Sequence, residues 1–202
     1  MNDDQLIRLI LGLEMAVLLP SMAFYRIKAQ ATGESLNRWQ EGIFILVTLR
    51  LLGLACFGGL LVFLINPAWL SWSTSALPMW LRWIGVSLFA IAGVVIVWSF
   101  HNLGKNLTDT VVTRRVHTLV LVGPYRWVRH PFYVGMALMV CGIWLATANW
   151  FFLATGVAFL GVLVMRTRKE EEKLIERFGD EYRRYMQHTP RFLPTLGRMP
   201  LK

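Results

Sequence analysis

The chain has 202 residues, of which 55% are hydrophobic, and its mean hydropathy is +0.49. This composition is too apolar for an ordinary soluble protein, so it predicts one membrane domain over residues 1–202. The net charge of +9 does not require nucleic acid, because the Lys and Arg residues cluster between apolar runs, where the positive-inside rule accounts for them. We therefore expect the lipid bilayer as a partner, and no nucleic acid.

Five apolar runs predict about five membrane-spanning helices, and hence an all-α integral membrane protein. The runs are continuously apolar and do not alternate, which favours helices over the strands of a barrel. The first three runs belong to residues 1–100, and the last two, joined by only three residues, are expected to form a tight hairpin within residues 101–202. The runs lie at about Leu6–Phe24, Gly42–Ile65, Leu81–Phe100, Phe132–Ala146 and Trp150–Met165.

The distribution of positive charge predicts the orientation. The segments after the first, third and fifth runs carry nearly all the Lys and Arg, whereas those after the second and fourth carry none. This places the amino terminus outside, and the segment His101–Pro131 and the carboxyl terminus in the cytoplasm. Trp69, Trp72 and Trp80 would form a belt at the outer interface. A short chain without an additional domain leads us to expect a bacterial inner membrane.

Two charged residues, Glu14 and Arg50, lie inside apolar runs, where a lone charge is costly. Counted from the helix ends, both lie near the middle of the membrane. We therefore expect them to pair between the first and second helices. The pair would be either structural or part of a substrate entrance.

After the fifth run, the residues Arg166–Phe178 predict a charged amphipathic helix on the cytosolic side. Gly179 suits its C-terminal cap, and Asp180 can cap a second short helix through Gln187. Pro190 would end that helix.

Two polar stretches are expected to meet at one cofactor site. The first, His117–Gly135, leads into the fourth run, and Pro131 there suits the first turn of a helix. Arg129 and His130 would then lie at a helix N-terminus, which attracts negative charge. The second stretch, Arg166–Glu172, leaves the fifth run at the same surface.

The spacing of Arg166 and Glu170 places them on one helix face. This pattern is typical of a surface ion pair, but it also suits a carboxylate that faces inward to hold hydroxyl or amino groups. His130 is open to two interpretations as well, an interfacial filler or a ligand for an anionic or polar group. The histidines and cysteines show no metal-ligand spacing, so no metal is expected.

Two motifs flank the apolar hairpin, LV-x-x-GPYR-x-VRHP-x-Y-x-G before it and R-x-x-x-EE-x-x-L-x-x-x-FG-x-x-Y-x-x-Y after it. This order resembles the isoprenylcysteine carboxyl methyltransferase family and its bacterial relatives. The resemblance covers roughly the C-terminal half, and it extends to phospholipid and thiol methyltransferases. The residues that carry it are Leu119-Val120, Gly123-Pro124-Tyr125-Arg126, Val128-Arg129-His130-Pro131, Tyr133, Gly135, Arg166, Glu170-Glu171, Leu174, Phe178-Gly179, Tyr182 and Tyr185.

The resemblance implies an integral membrane methyltransferase that uses S-adenosylmethionine (SAM). It also implies that Arg166 faces the substrate end, and that Arg166, Glu170 and His130 are the catalytic residues. The chain lacks a G-x-G-x-x-G turn, so a Rossmann-type enzyme is not expected. The cofactor-binding residues that the resemblance implies are Tyr125, His130, Pro131, Tyr133, Gly135, Glu170 and Glu171.

The accepting atom is left open by the sequence. A carboxylate substrate needs no base and could be oriented by Arg166, whereas a thiol or amine would need deprotonation by His130 or Glu170. We favour carboxyl O-methylation of an isoprenylcysteine-like group on a lipophilic small molecule or prenylated partner, with phospholipid N- or thiol S-methylation as alternatives. A nicotinamide-dependent sterol reductase and a scaffold that binds anionic lipid are further alternatives. The oligomeric state stays open.

Overall fold

The computed structural model describes residues 1–30, 42–107 and 118–194. Within these ranges the regular elements are helices, accompanied by one isolated bridge between Thr74 and Asn149. The α-helices are α1 (Asp3–Gln30), α2 (Ile43–Ile65), α3 (Met79–Leu103), α4 (Pro131–Thr147), α5 (Trp150–Phe178) and α6 (Asp180–His188).

Helices α1 to α5 occupy the five predicted apolar runs. Four of them, α1, α2, α3 and α5, are long and apolar enough to cross a membrane, whereas α4 is a shorter apolar helix of 17 residues. The prediction of an all-α integral membrane protein is confirmed. Residues 31–41 and 108–117, which belong to the charged segments used for the orientation, lie outside the described residues, as does His117 with them.

Two helices are longer than predicted. Helix α1 continues through Pro20 to Gln30, and α5 continues from the apolar run into the charged segment without a break. The charged segment is rich in Glu, Lys and Arg, which favour helix, so nothing interrupts α5 before Gly179. Gly179 has φ +55 and ends α5 as predicted. It also occupies the N-cap position of α6, and Asp180 is the first helical residue and not the cap.

Close contact between α3 and α4 fixes the position of α4 in the bundle. A Cβ on Gly85 would lie 2.3 Å from the backbone nitrogen of Ala146, and a Cβ on Gly142 would lie 2.7 Å from that of Phe89. The two backbones can approach this closely only because both positions are glycine. The best-buried side chains of these two helices are Phe89, Ala92 and Ile96 on α3 and Met139 and Ala146 on α4.

The tight hairpin between α4 and α5 is confirmed. Ala148 adopts a left-handed conformation (φ 51), and Asn149 caps α5 by accepting a hydrogen bond from the Phe151 amide at 3.1 Å. Asn149 is buried, and its side chain also accepts a 2.8 Å bond from Ser73. The hairpin is thereby tied to the 3-10 helix Pro67–Ser73 at the end of the bundle opposite the start of α4.

The predicted pair between Glu14 and Arg50 is wrong. Arg50 is exposed on the outer face of α2, and one carboxylate oxygen of Glu14 is buried without a hydrogen-bond partner. Glu14 lies on the same face of α1 as the buried Ile7 and Leu18, so it points into the bundle. Depth along a helix axis can be counted from the sequence, but the rotation of each helix about its axis cannot.

Candidate active site

The start of α4 has the predicted arrangement. Pro131 is the first residue of α4 and His130 is its N-cap. The 3-10 helix Gly123–Arg126 precedes it, and its first residue has φ +62. The positive φ favours glycine at this position, and the side chain of Asn102 would have to move to admit a Cβ, which would lie 2.4 Å from its oxygen.

Glu171 is the centre of a buried network of charges. Its Oε1 accepts hydrogen bonds from Arg129 Nε at 3.0 Å and Arg191 Nε at 3.1 Å, and it lies 3.2 Å from His130 Nε2. Arg191 also contacts the second oxygen, Oε2. Burial alone would raise the pKa of Glu171, but the bonds from His130 and Arg191 and the charge of Arg129 lower this pKa to about 2. The carboxylate is therefore ionised and surrounded by donors.

Glu170 has a different set of neighbours. Its Oε1 accepts a 2.7 Å hydrogen bond from the Tyr133 hydroxyl and lies 3.0 Å from Arg166 Nε. The side chains of Arg166 and Glu170 are only 13% and 19% exposed, so this is an inward ion pair and not a surface one. The predicted shared face is confirmed, and the interpretation as a surface ion pair is wrong, while the role of Glu170 in holding a ligand stays a prediction. Oε2 of Glu170 lies 3.6 Å from His130 Nδ1.

The His130 ring thus lies between two carboxylates, Glu171 at Nε2 and Glu170 at Nδ1. It is buried, and it stacks on the Tyr133 ring with a centroid distance of 5.3 Å and an interplanar angle of 6°. The ring orientation is therefore set from three sides. In the described part of the chain, no group of three or more His, Cys, Asp or Glu side chains could hold a metal ion.

A segment that the sequence interpretation missed completes the site. We call residues 189–192 the C-terminal strap. The amide of Arg129 donates to the Pro190 carbonyl at 2.9 Å, and the amide of His130 donates to the Arg191 carbonyl at 3.1 Å. The sequence interpretation used Pro190 only as a helix end, because a single arginine after it gives no signal for a partner twenty residues earlier.

Two of the predicted cofactor residues have packing roles. The Tyr125 carbonyl accepts a 2.6 Å hydrogen bond from the Tyr185 hydroxyl, which ties α6 to the segment before α4. Burial, together with Tyr185 and Glu170, raises the pKa of Tyr125. A Cβ on Gly135 would lie 2.7 Å from Ile96 of α3, so this glycine allows close packing there. Cofactor contacts by Tyr125 and Gly135 stay predictions.

A family model described as phospholipid methyltransferase matches residues 80–181, half of the chain. The chain belongs to the phospholipid methyltransferase family. The matched region runs from the start of α3 into the start of α6, and it contains the predicted site residues. The C-terminal strap follows it and lies outside the match.

Curated relatives carry two different names. Human protein-S-isoprenylcysteine O-methyltransferase is 28% identical over 163 residues, covering 65% of this chain and 54% of the relative. Methanethiol S-methyltransferase of Mycobacterium tuberculosis is 29% identical over 126 residues, covering 62% of this chain and 46% of the relative. The chain therefore spans about half the length of the curated relatives it matches.

One solved structure shares the fold. It is described as the eukaryotic intramembrane Ras methyltransferase ICMT, and it superposes with a TM-score of 0.56 at 22% sequence identity. The similarity covers 92% of this chain and 66% of that one. This member of the phospholipid methyltransferase family thus has the membrane fold of ICMT.

Proposed function

We propose that this protein is an integral membrane methyltransferase that uses SAM to methylate a lipophilic substrate. The accepting group that we favour is the carboxyl group of an isoprenylcysteine-like molecule. Family membership and the names of the relatives support the reaction class. The observation that carries the proposal is the convergence of Glu170, Tyr133 and Arg166 on the N-terminus of α4, beside the buried His130. A purely structural helix end has no need for inward carboxylates at this position.

The residues present fit SAM, which carries a cationic sulfonium, an ammonium group and a carboxylate. Oε2 of Glu170 lies beyond ordinary hydrogen-bond distance from His130, so it keeps capacity to accept from a cationic or hydroxyl group. The N-terminus of α4 suits a carboxylate. When bound, SAM supplies a methyl carbon on a sulfur that takes the bonding electron pair as the methyl group leaves. Glu170, Tyr133 and His130 would hold it, and Glu171 would position His130.

The contribution of the protein is chiefly to orient the reactants and to exclude water. A carboxylate substrate is already ionised at neutral pH and needs no base. Arg166, which contacts Glu170 through Nε, would orient the substrate carboxylate. Thiol S-methylation is the second candidate, because His130 is placed between two carboxylates and could accept the thiol proton. We regard the reductase and scaffold alternatives as less favoured.

A narrow apolar cleft, with an enclosed volume of about 10 Å³, would have to widen to admit a lipophilic substrate. It lies between α2, α4 and α5, and α4 connects it to the site because Tyr133, Met136 and Val140 follow one another on one face. A molecule with a polar head at Glu170 could therefore extend its apolar part along α4 into the bilayer-facing bundle. The cleft is lined by Gly53, Cys56, Phe57, Met136, Met139, Val140, Ile143, Phe152 and Phe159.

Calorimetric titration of SAM into the detergent-purified chain tests this proposal. We expect the wild type to bind SAM, Glu170→Gln and His130→Ala to lose binding, and Glu172→Gln, which changes an exposed neighbour, to retain it. Radiolabelled methyl transfer to prenylated carboxylates and to lipophilic thiols then identifies the accepting atom. The proposal is overturned if folded, monodisperse wild type binds no SAM either alone or with these substrates present.

A further inference from the structure

Hydrogen bonds attach the C-terminal strap (residues 189–192) to Arg129 and His130, the two residues that precede α4. Besides the two backbone bonds from Arg129 and His130, Arg129 Nη1 donates to the Thr189 carbonyl at 2.7 Å and to the Met186 carbonyl at 3.1 Å. The Phe192 ring lies 5.9 Å from the His130 ring. The strap therefore contacts both the backbone and the side chain of His130.

Arg191 joins this strap to the buried carboxylate of Glu171. Its Nε and a terminal nitrogen contact the two different oxygens of Glu171, which is the fork arrangement that only arginine can make. The Arg191 side chain is 35% exposed, whereas that of Glu171 is 5% exposed. Arg191 thus covers the carboxylate on the side that faces water.

Arg129 makes a different set of contacts, and its Nη2 also lies 3.0 Å from Oε1 of Glu171. Its Nε donates to the same oxygen, and its Nη1 is held by two backbone carbonyls. Loss of Arg191 would therefore remove the described donor to Oε2 and leave a buried charge with a reduced set of partners, which is costly. The carboxylate would have to turn to recover donors, and Oε1 would move away from His130.

We propose that Arg191 is a positioning residue for the site. It holds Glu171 in the one orientation that places Oε1 against His130 Nε2, and through Glu171 and Phe192 the strap fixes the His130 ring between the two carboxylates. In this proposal Arg191 acts through its contacts with Glu171, and not by touching substrate or cofactor. The catalytic consequence rests on the proposed function, since it requires that His130 acts in binding or methyl transfer.

The test compares Arg191→Gln and Arg191→Lys with a control, Arg183→Gln, which removes an arginine from an exposed ion pair with Asp180. For the full chain we expect both Arg191 variants to lower kcat by about 10- to 100-fold, as misplacement of a catalytic group does. Lysine keeps the charge but cannot form the fork, so we expect Arg191→Lys to recover the melting temperature without recovering kcat. If Arg191→Lys has both the melting temperature and the kcat of the wild type, the proposal is overturned.

A second readout does not depend on activity. The chain has only four histidines, so the imidazole nitrogen resonances of ¹⁵N-histidine-labelled protein can be assigned with His130→Ala. We expect both Arg191 variants to shift the His130 resonances and Arg183→Gln to leave them unchanged. Unchanged His130 resonances in Arg191→Lys would overturn the proposal even if the wild type shows no methyl transfer, which separates this failure from a failure of the proposed function.

A double-mutant cycle tests whether Arg191 affects His130 through Glu171. If Arg191 acts through Glu171, Arg191→Gln should have little further effect on the His130 resonances in a Glu171→Gln background. Additive effects of the two substitutions would contradict the route through Glu171.

Discussion

Glu170 and Glu171 are adjacent in sequence but lie about 100° apart around α5. That rotation gives them different partners, since Glu170 meets Tyr133 and Arg166, whereas Glu171 meets Arg129, His130 and Arg191. A carboxylate that is surrounded by donors has little capacity left for a ligand. We therefore propose ligand binding for Glu170 and positioning for Glu171, and the cofactor contact that the resemblance implied for Glu171 stays a prediction.

The lowered pKa of Glu171 leads to a prediction about pH. Folding lowers the pKa of Glu171 from its ordinary 4.5 to about 2, so the ionised carboxylate stabilises the folded state. This stabilisation of the fold is fully present above pH 4.5 and is lost as the pH falls towards 2. Melting temperatures of the wild type and Glu171→Gln should therefore differ most near neutral pH and converge below pH 4.5. Glu172→Gln serves as the exposed control. A difference that stays constant down to pH 2.5 would contradict the assigned network.

At the scale of helices, the site depends on how α4 is held. Its N-terminus carries His130, and it packs closely against both α3 and α5, at Gly142 and Gly156. The contact with α3 leaves no room for a methyl group at Gly142, where the nearest atoms belong to the α3 backbone. Backbone atoms cannot move aside as a flexible side chain can.

We predict that Gly142→Ala destabilises the protein by about 1–3 kcal/mol, as overpacking does. The matched control is Gly161→Ala on α5, where an added Cβ would meet nothing within 4 Å. There the substitution should be neutral or stabilising, because alanine favours helix more than glycine does. Thermal unfolding in detergent measures both variants. Equal effects of the two substitutions would refute the close α3–α4 contact.

At the scale of the whole molecule, the two ends of the bundle differ in chemistry. One end carries the site and the charged half of α5, and the other carries the hairpin link and the exposed Trp69, Trp72 and Trp80. Large exposed aromatic residues at one end are typical of a membrane interface. The charge distribution of the sequence predicts that the end with the site faces the cytoplasm.

Two C-terminal fusions test this orientation. A reporter that is active only in the cytoplasm should be active when fused after Lys202, and a reporter that is active only outside it should be inactive at the same position. The physical reason is the excess of Lys and Arg in the segments at this end. The opposite pattern of activities would reverse the orientation.

The sequence by itself determined the features that depend on neighbours along the chain. The apolar runs predicted the positions of α1 to α5, the three-residue link predicted the hairpin, Pro131 predicted the start of α4, and four-residue spacing predicted that Arg166 and Glu170 share a helix face. Each follows from hydrophobicity or helix geometry within a few residues, so it can be predicted without knowing the rest of the molecule.

Only the tertiary structure decided which distant residues meet. It separated Glu14 from Arg50, assigned different partners to Glu170 and Glu171, and brought Arg191 to the site. These contacts depend on the rotation of each helix about its own axis and on where a chain segment crosses another. Packing of the whole bundle sets both, through close approaches such as that of α3 and α4, and no local pattern in the sequence records them.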